Sequence, residues 1–105
     1  MYTPDNWVVI KFKGDNPHYR VLAGWSGGYL DGDRWRMNSG ITGVTEDLHN
    51  HFFEGVTGSV YECYKDAYCF RKSTAGVWEQ LQEIHGDKVE LMDKDTDWLK
   101  MDWNL

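Results

Sequence analysis

Hydrophobic and polar positions alternate with a period of two along most of the first two thirds of the chain, the pattern of strands that turn one face to a core. From Trp7 to Lys13 this alternation puts Val8, Ile10 and Phe12 on one face and Trp7, Val9, Lys11 and Lys13 on the other. Turn chemistry follows in Gly14-Asp15-Asn16-Pro17, and alternation resumes from His18 to Trp25, with Tyr19, Val21 and Ala23 opposed to Arg20, Leu22 and Gly24. The two segments predict an opening antiparallel hairpin. After a glycine-rich stretch, Arg34 to Asn38 reads as a third strand, with Trp35 and Met37 inward and Arg34 and Arg36 outward. Ile41 to Glu46 continues extended, with Ile41, Gly43 and Thr45 opposite Thr42 and Val44, a pattern compatible with one strand bent at Gly40. Short strands at His51 to Glu54 and Val60 to Tyr64, separated by turns at 47–50 and 55–58, complete the run.

Helical periodicity enters only after Ser73, a good N-cap, where Val77, Trp78, Leu81, Ile84 and His85 share a stripe that stops at Gly86. That stripe needs an apolar surface to cover, and the face carrying Val8, Ile10 and Phe12 supplies one. The predicted fold class is therefore α+β: a curved antiparallel meander of five or six strands with one C-terminal helix on one face, spanning residues 1–86. Residues 87–105 form an acidic extension with a strand at Lys88 to Met92, the carboxylates Asp93, Asp95 and Asp97, and the apolar set Trp98, Leu99, Met101 and Trp103. Tryptophans in a terminal tail are seldom left in water. The tail is expected to pack on its own domain or on another protomer, the second case giving a homo-oligomer.

A chain of 105 residues is the size of one domain, so function has to sit on the core's own surface. Six Trp, six Tyr and four Phe offer more aromatic area than a core of this size requires, which points to an interface. The formal net charge of −6 argues against a surface that tracks phosphate backbones, and nucleic acid is not the expected partner. The first residues lack the basic start and apolar core of a signal peptide, and no apolar run reaches the length of a membrane span. The expected setting is cytoplasmic, with Cys63 and Cys69 as free, small, buried thiols.

The densest collection of recognition chemistry lies between Gly24 and Asn38. Trp25, Tyr29 and Trp35 offer flat faces with a hydrogen-bonding tip, Asp31, Asp33, Arg34 and Arg36 supply mixed charge, and Gly27, Gly28 and Gly32 free the backbone. Those seven aromatic and charged residues are the candidate binding set; the competing reading is a long hairpin whose aromatics fold back onto the sheet. Other constellations carry less. His49-Asn50-His51 has the letters of a nuclease motif without its hairpin, helix and separate metal ligand. His49 and His51 with Cys63 or Cys69 would suit zinc, yet no paired ligand spacing accompanies them, and Asp31 and Asp33 begin a calcium loop whose twelfth position is Thr42. Cys63 with His49 or His51 has the minimum composition for covalent catalysis, but it sits in an apolar alternating strand. No nucleotide fingerprint, phosphate loop or serine elbow occurs. The sequence therefore predicts a non-enzymatic protein with no cofactor and no metal.

The blocks Asn6-Trp7-Val8-Val9-Ile10-Lys11, Ala23 to Tyr29, Asp33 to Ile41 and Thr57 to Cys63 resemble a group of small uncharacterised proteins carried by tailed bacteriophages and prophages. The likeness covers roughly residues 6 to 80. It implies a phage accessory protein in the host bacterial cytoplasm and brings no mechanism with it. Two binding functions follow as expectations. The protein binds and inhibits a host protein, such as a defence factor, with Trp and Tyr as anchors and carboxylates as steering charges. Alternatively it is a sink for a nucleotide signal, with Trp25, Tyr29 or Trp35 stacking a base and Arg34 or Arg36 pairing a phosphate. The acidic total and the lack of a basic cluster in the sequence favour the first.

Overall fold

The computed structural model describes residues 1–27 and 33–103, and its class is α+β as the pattern predicts. The strands form two antiparallel sheets and not a single meander. The first contains β1 (Asn6–Phe12), β2 (His18–Trp25), β3 (Arg34–Met37) and the late strand β7 (Val89–Leu91), in the order β3-β2-β1-β7. The second contains β4 (Ile41–Glu46), β5 (Asn50–Gly55) and β6 (Val60–Tyr64) in sequence order. Helix α1 (Lys72–His85) precedes β7.

The division follows from the composition of β1 and β2, which are apolar on both faces. Val8, Ile10 and Leu22 are buried on the side of α1 together with Val77 and Val89, with Phe12, Met37, Trp78 and Leu81 packed around them. Trp7, Val9, Tyr19, Val21 and Ala23 are buried on the opposite side, against Ile41, Phe53, Tyr61 and Cys63 of the second sheet. The result is three layers, helix on sheet on sheet, and β1 lies in the middle of them. Both residue sets assigned to Trp7–Lys13 by alternation are thus core for most of their length.

The single strand bent at Gly40 is replaced by two strands in different sheets. At Asn38 the chain leaves β2: the Asn38 amide still donates to the Val21 carbonyl at 3.2 Å, but it is the Asn38 side-chain oxygen that accepts from the Val21 amide at 2.9 Å. In an antiparallel pair the backbone carbonyl would have taken that bond. The side chain substitutes for the ladder and releases the backbone to turn. Gly40, at φ +146°, completes the crossing, where a side chain would be strained.

The alternation also fails within β4. Pairing with β5 shifts register between Ile41 and Gly43, a bulge that puts both Ile41 and Val44 toward the core where strict alternation opposes them. In α1, Val77 is buried and Trp78 and Leu81 are half-buried, whereas Ile84 is 73% exposed and does not share the buried stripe. The sheet has run out at that turn, and it is the neighbouring His85 ring that meets Phe12, edge-on at 6.0 Å. The helix starts one residue before Ser73, and the first-turn hydroxyl is that of Thr74, which accepts from the Arg71 amide at 2.9 Å. Gly86, at φ +57°, ends it as expected.

Beyond Gly86 the described part of the tail lies on its own chain. β7 pairs antiparallel with β1, and Trp98, at 3% exposure, is enclosed by Trp7, Phe53 and Tyr68. Tyr68 ties this corner together: its hydroxyl accepts from the Val9 amide at 3.2 Å and donates to the Met92 carbonyl at 2.5 Å. Burial pushes its phenol up to about 12.

Candidate functional site

β3 is an edge strand of four residues, paired with β2 through Met37 to Leu22, Arg36 to Ala23, Trp35 to Gly24 and Arg34 to Trp25. With a period of two, Trp35 and Met37 point to the helix side and Arg34 and Arg36 to the side of the second sheet. Met37 reaches the core. Trp35, expected inward as well, is 50% exposed. The reason lies opposite it: Gly24 has no side chain, and a Cβ there would come within 2.6 Å of the Asn6 side-chain oxygen and 2.8 Å of the Thr74 methyl. Glycine at 24 lets the first turn of α1 close onto β2, which fills the space that Trp35 would otherwise take. Trp35 borders an open cleft on the helix side together with Ser73 and Gly76.

The floor of the site comes from the N-terminal segment, which the sequence reading did not single out. Tyr2 makes a parallel bridge to Tyr61, its amide donating to the Val60 carbonyl at 2.8 Å and its carbonyl accepting from the Glu62 amide at 2.7 Å. Three residues later the Asp5 amide donates to the Gly24 carbonyl at 2.9 Å, and the Asp5 carboxylate accepts from the Ser26 amide at 2.8 Å. The segment therefore spans from one sheet to the other. Its Tyr2 ring sits between Trp25, edge-on at 6.3 Å, and Tyr61, tilted at 5.0 Å. The Arg36 guanidinium covers Tyr2 at 4.4 Å from the ring centroid, and the Trp25 indole N–H donates to the Thr3 carbonyl at 3.0 Å. Trp25 and Arg36 are thus held in place before any ligand arrives.

Two clefts open from this arrangement. One, of roughly 370 Å³, is lined by Tyr2, Trp25, Arg34, Trp35 and Arg36 together with Met1 and Thr3. The other, of roughly 590 Å³, shares Met1, Tyr2 and Arg36 and continues along Thr57, Gly58, Ser59 and Val60 of the β5–β6 turn. Among the described residues, no lining residue of either cleft is acidic, in a chain of net charge −6. Among the described residues neither Arg34 nor Arg36 forms an ion pair with a carboxylate. Asp33, one of the predicted site residues, turns elsewhere: its carboxylate accepts from the Gly27 amide at 3.2 Å and borders the cleft on the helix side. Burial pushes the Tyr61 phenol above its ordinary value, while the adjacent Arg36 guanidinium acts against that shift. Of the predicted set, Trp25, Arg34, Trp35 and Arg36 come together; Tyr29 and Asp31 lie outside the described residues.

The other constellations separate. Cys63 is fully buried and its thiol is pushed well above the usual thiol range by desolvation, the opposite of an activated nucleophile. Cys69 is exposed, contrary to the expectation of two buried thiols, and both cysteines are free. His51 faces the core against Trp7 and Phe53, and its Nδ1 has no hydrogen-bond partner, with Glu46 at 3.9 Å too far to serve as one. Glu46 is engaged by Lys65 at 2.7 Å. Among the described residues no three His, Cys, Asp or Glu side chains are grouped as metal ligands, and no helix is long and apolar enough to cross a membrane. Comparison with protein-family models, with curated proteins and with solved structures finds no match for this chain.

Proposed function

We propose that the protein acts by stoichiometric capture and not by turnover, holding a nucleotide in the cleft of Tyr2, Trp25, Arg34, Trp35 and Arg36. The observation that carries this reading is the segregation of charge: among the described residues, two guanidiniums without a carboxylate ion pair line a cleft together with Tyr2, Trp25 and Trp35, and no acidic residue borders it. The sequence argument for a protein partner rested on the missing basic cluster, and net charge summed over a chain does not decide the local potential at a cleft. Roughly 370 Å³ lies at the lower end of small-ligand sites and suits a mononucleotide-sized body. Trp25 and Trp35 border the cleft and offer aromatic surface at its edge for a base, and Arg34 and Arg36 offer donors to phosphate oxygens. Resemblance to phage proteins supplies the setting of this proposal, a host bacterial cytoplasm in which a nucleotide signal is withdrawn.

Isothermal titration with the four ribonucleoside 5′-monophosphates tests the reading. Wild-type protein should bind at least one of them at a ratio of one to one, and Arg36→Ala should remove the heat. A wild-type chain silent toward all four, and toward the corresponding diphosphates and dinucleotides, contradicts it. A second reading, inhibition of a host protein, is favoured by one observation: Trp35 stands exposed on an unpaired edge strand between two arginines, the residue types that dominate interface energetics. In that case a host polypeptide should be retained by the wild type and lost on Trp35→Ala, with no response to nucleotides.

A further inference from the structure

The two clefts meet at Arg36, and that meeting constrains what the ligand looks like. Resting on the nucleotide reading, we infer that the ligand is a dinucleotide: two nucleosides joined through phosphate, with the linkage at Arg36 and one nucleoside on each side. The Arg36 guanidinium stands over the Tyr2 ring at 4.4 Å from its centroid and beside the Tyr61 phenol, and its several N–H donors exceed what those two contacts use. Arg36 borders both clefts, so a phosphate bound by it would lie between them. On one side the wall is aromatic, Trp25 and Trp35, and suits a stacked base with Arg34 beside it.

On the other side the wall is the β5–β6 turn, and its chemistry differs. Thr57, Gly58, Ser59 and Val60 line this cleft, and among the described residues no cationic side chain and no ring borders it except the shared Arg36 and Tyr2. The Thr57 and Ser59 hydroxyls make no hydrogen bond to any described residue. Hydroxyls flanking a glycine bind sugar hydroxyls and phosphate oxygens without supplying charge, which suits the ribose of a second nucleoside better than a further terminal phosphate. Gly58 holds φ +86° within the turn that the Gly55 amide to Ser59 carbonyl bond closes at 2.8 Å, so this wall has a fixed shape. A mononucleotide held in the aromatic cleft would leave the adjoining cleft of roughly 590 Å³ without a ligand group.

The test titrates wild-type protein with the four ribonucleoside 5′-monophosphates, the matching 5′-diphosphates, and the matching 3′,5′-linked homodinucleotides in linear and cyclic form. The best dinucleotide should bind roughly tenfold or more tighter than its mononucleotide, the size of one added set of hydrogen bonds to a charged group. The double variant Thr57→Ala, Ser59→Ala should lose that advantage while keeping mononucleotide affinity and melting temperature. Equal affinity for mono- and dinucleotides overturns the inference and leaves the nucleotide reading standing. A diphosphate as tight as the dinucleotide also overturns it, because the second cleft then reads charge and not a nucleoside. Silence toward every probe overturns both.

Discussion

Trp98 and Trp35 are chemically identical and do opposite things. Trp98 is 3% exposed, ringed by Trp7, Phe53, Tyr68 and Trp103 at centroid distances from 5.7 to 6.5 Å, and ties the C-terminal segment to both sheets. Trp35 is 50% exposed, on an edge strand, between two arginines and beside a second tryptophan. The aromatic surplus in the composition therefore splits into a part that closes the core and a part that faces a cleft. What separates the two is the neighbourhood: rings pack on rings around Trp98, whereas Gly24 and the helix start deny Trp35 a pocket. Loss of the first should unfold the protein, and loss of the second should leave it folded and unable to bind.

The largest effect expected is from Trp98→Ala. Emptying a site of that size costs about 3–5 kcal/mol, a large part of the stability of a small domain. Truncation after Gly86 should be worse, since it removes β7 as well, and a chemical denaturation curve left in place by either change would show the tail to be peripheral.

Next in size is Gly24→Ala, which puts a methyl group against Asn6 and Thr74 at distances no real Cβ adopts. Overpacking of this kind costs about 1–3 kcal/mol. Because Asn6 donates to the Thr74 hydroxyl at 3.0 Å and to the Cys69 carbonyl at 3.2 Å, the strain should appear as faster amide exchange in the first turn of α1. Unchanged exchange there would sink the close-approach account of this glycine.

A smaller effect comes from pH. Burial holds the His51 imidazole below its usual value, with Glu46 pulling weakly the other way. The unfolded chain therefore takes up the proton first as pH falls: stability is complete above about pH 6.5, declines below it, and levels off beneath the folded value. His51→Gln should flatten the fall of the urea midpoint between about pH 7 and pH 5. A variant with the same slope as wild type would assign the fall to other groups.

How far the sequence carried follows the same division between local and distant causes. β1 and β2 were legible on both faces because alternation is a local property and no bulge interrupts them. β4 was misread because one extra residue at the bulge inverts the pattern, and Ile84 because a stripe says nothing about where its sheet ends. The split into two sheets depends on Asn38 substituting its side chain for a backbone acceptor, which leaves only an ordinary Asn-Ser-Gly in the letters. In the candidate site, Trp25, Arg34, Trp35 and Arg36 were legible as neighbours in sequence. Tyr2 was not, since it reaches the site by pairing with Val60 and Glu62, and its only signal was an aromatic residue in an extended stretch before Pro4.

The smallest change in stability and the most informative change in behaviour belong to the cleft. Arg34 and Trp35 are exposed, and exposed positions change stability by about 0.5 kcal/mol or less each. The most direct measurement is native mass spectrometry of wild-type protein and of the double variant Arg34→Ala, Trp35→Ala, each purified from phage-infected bacterial cells, with melting curves recorded on the same samples. The account predicts a one-to-one adduct of nucleotide mass on the wild type, none on the variant, and melting temperatures within a few degrees of each other. An adduct retained by the variant, or a wild type that carries no nucleotide, would contradict it.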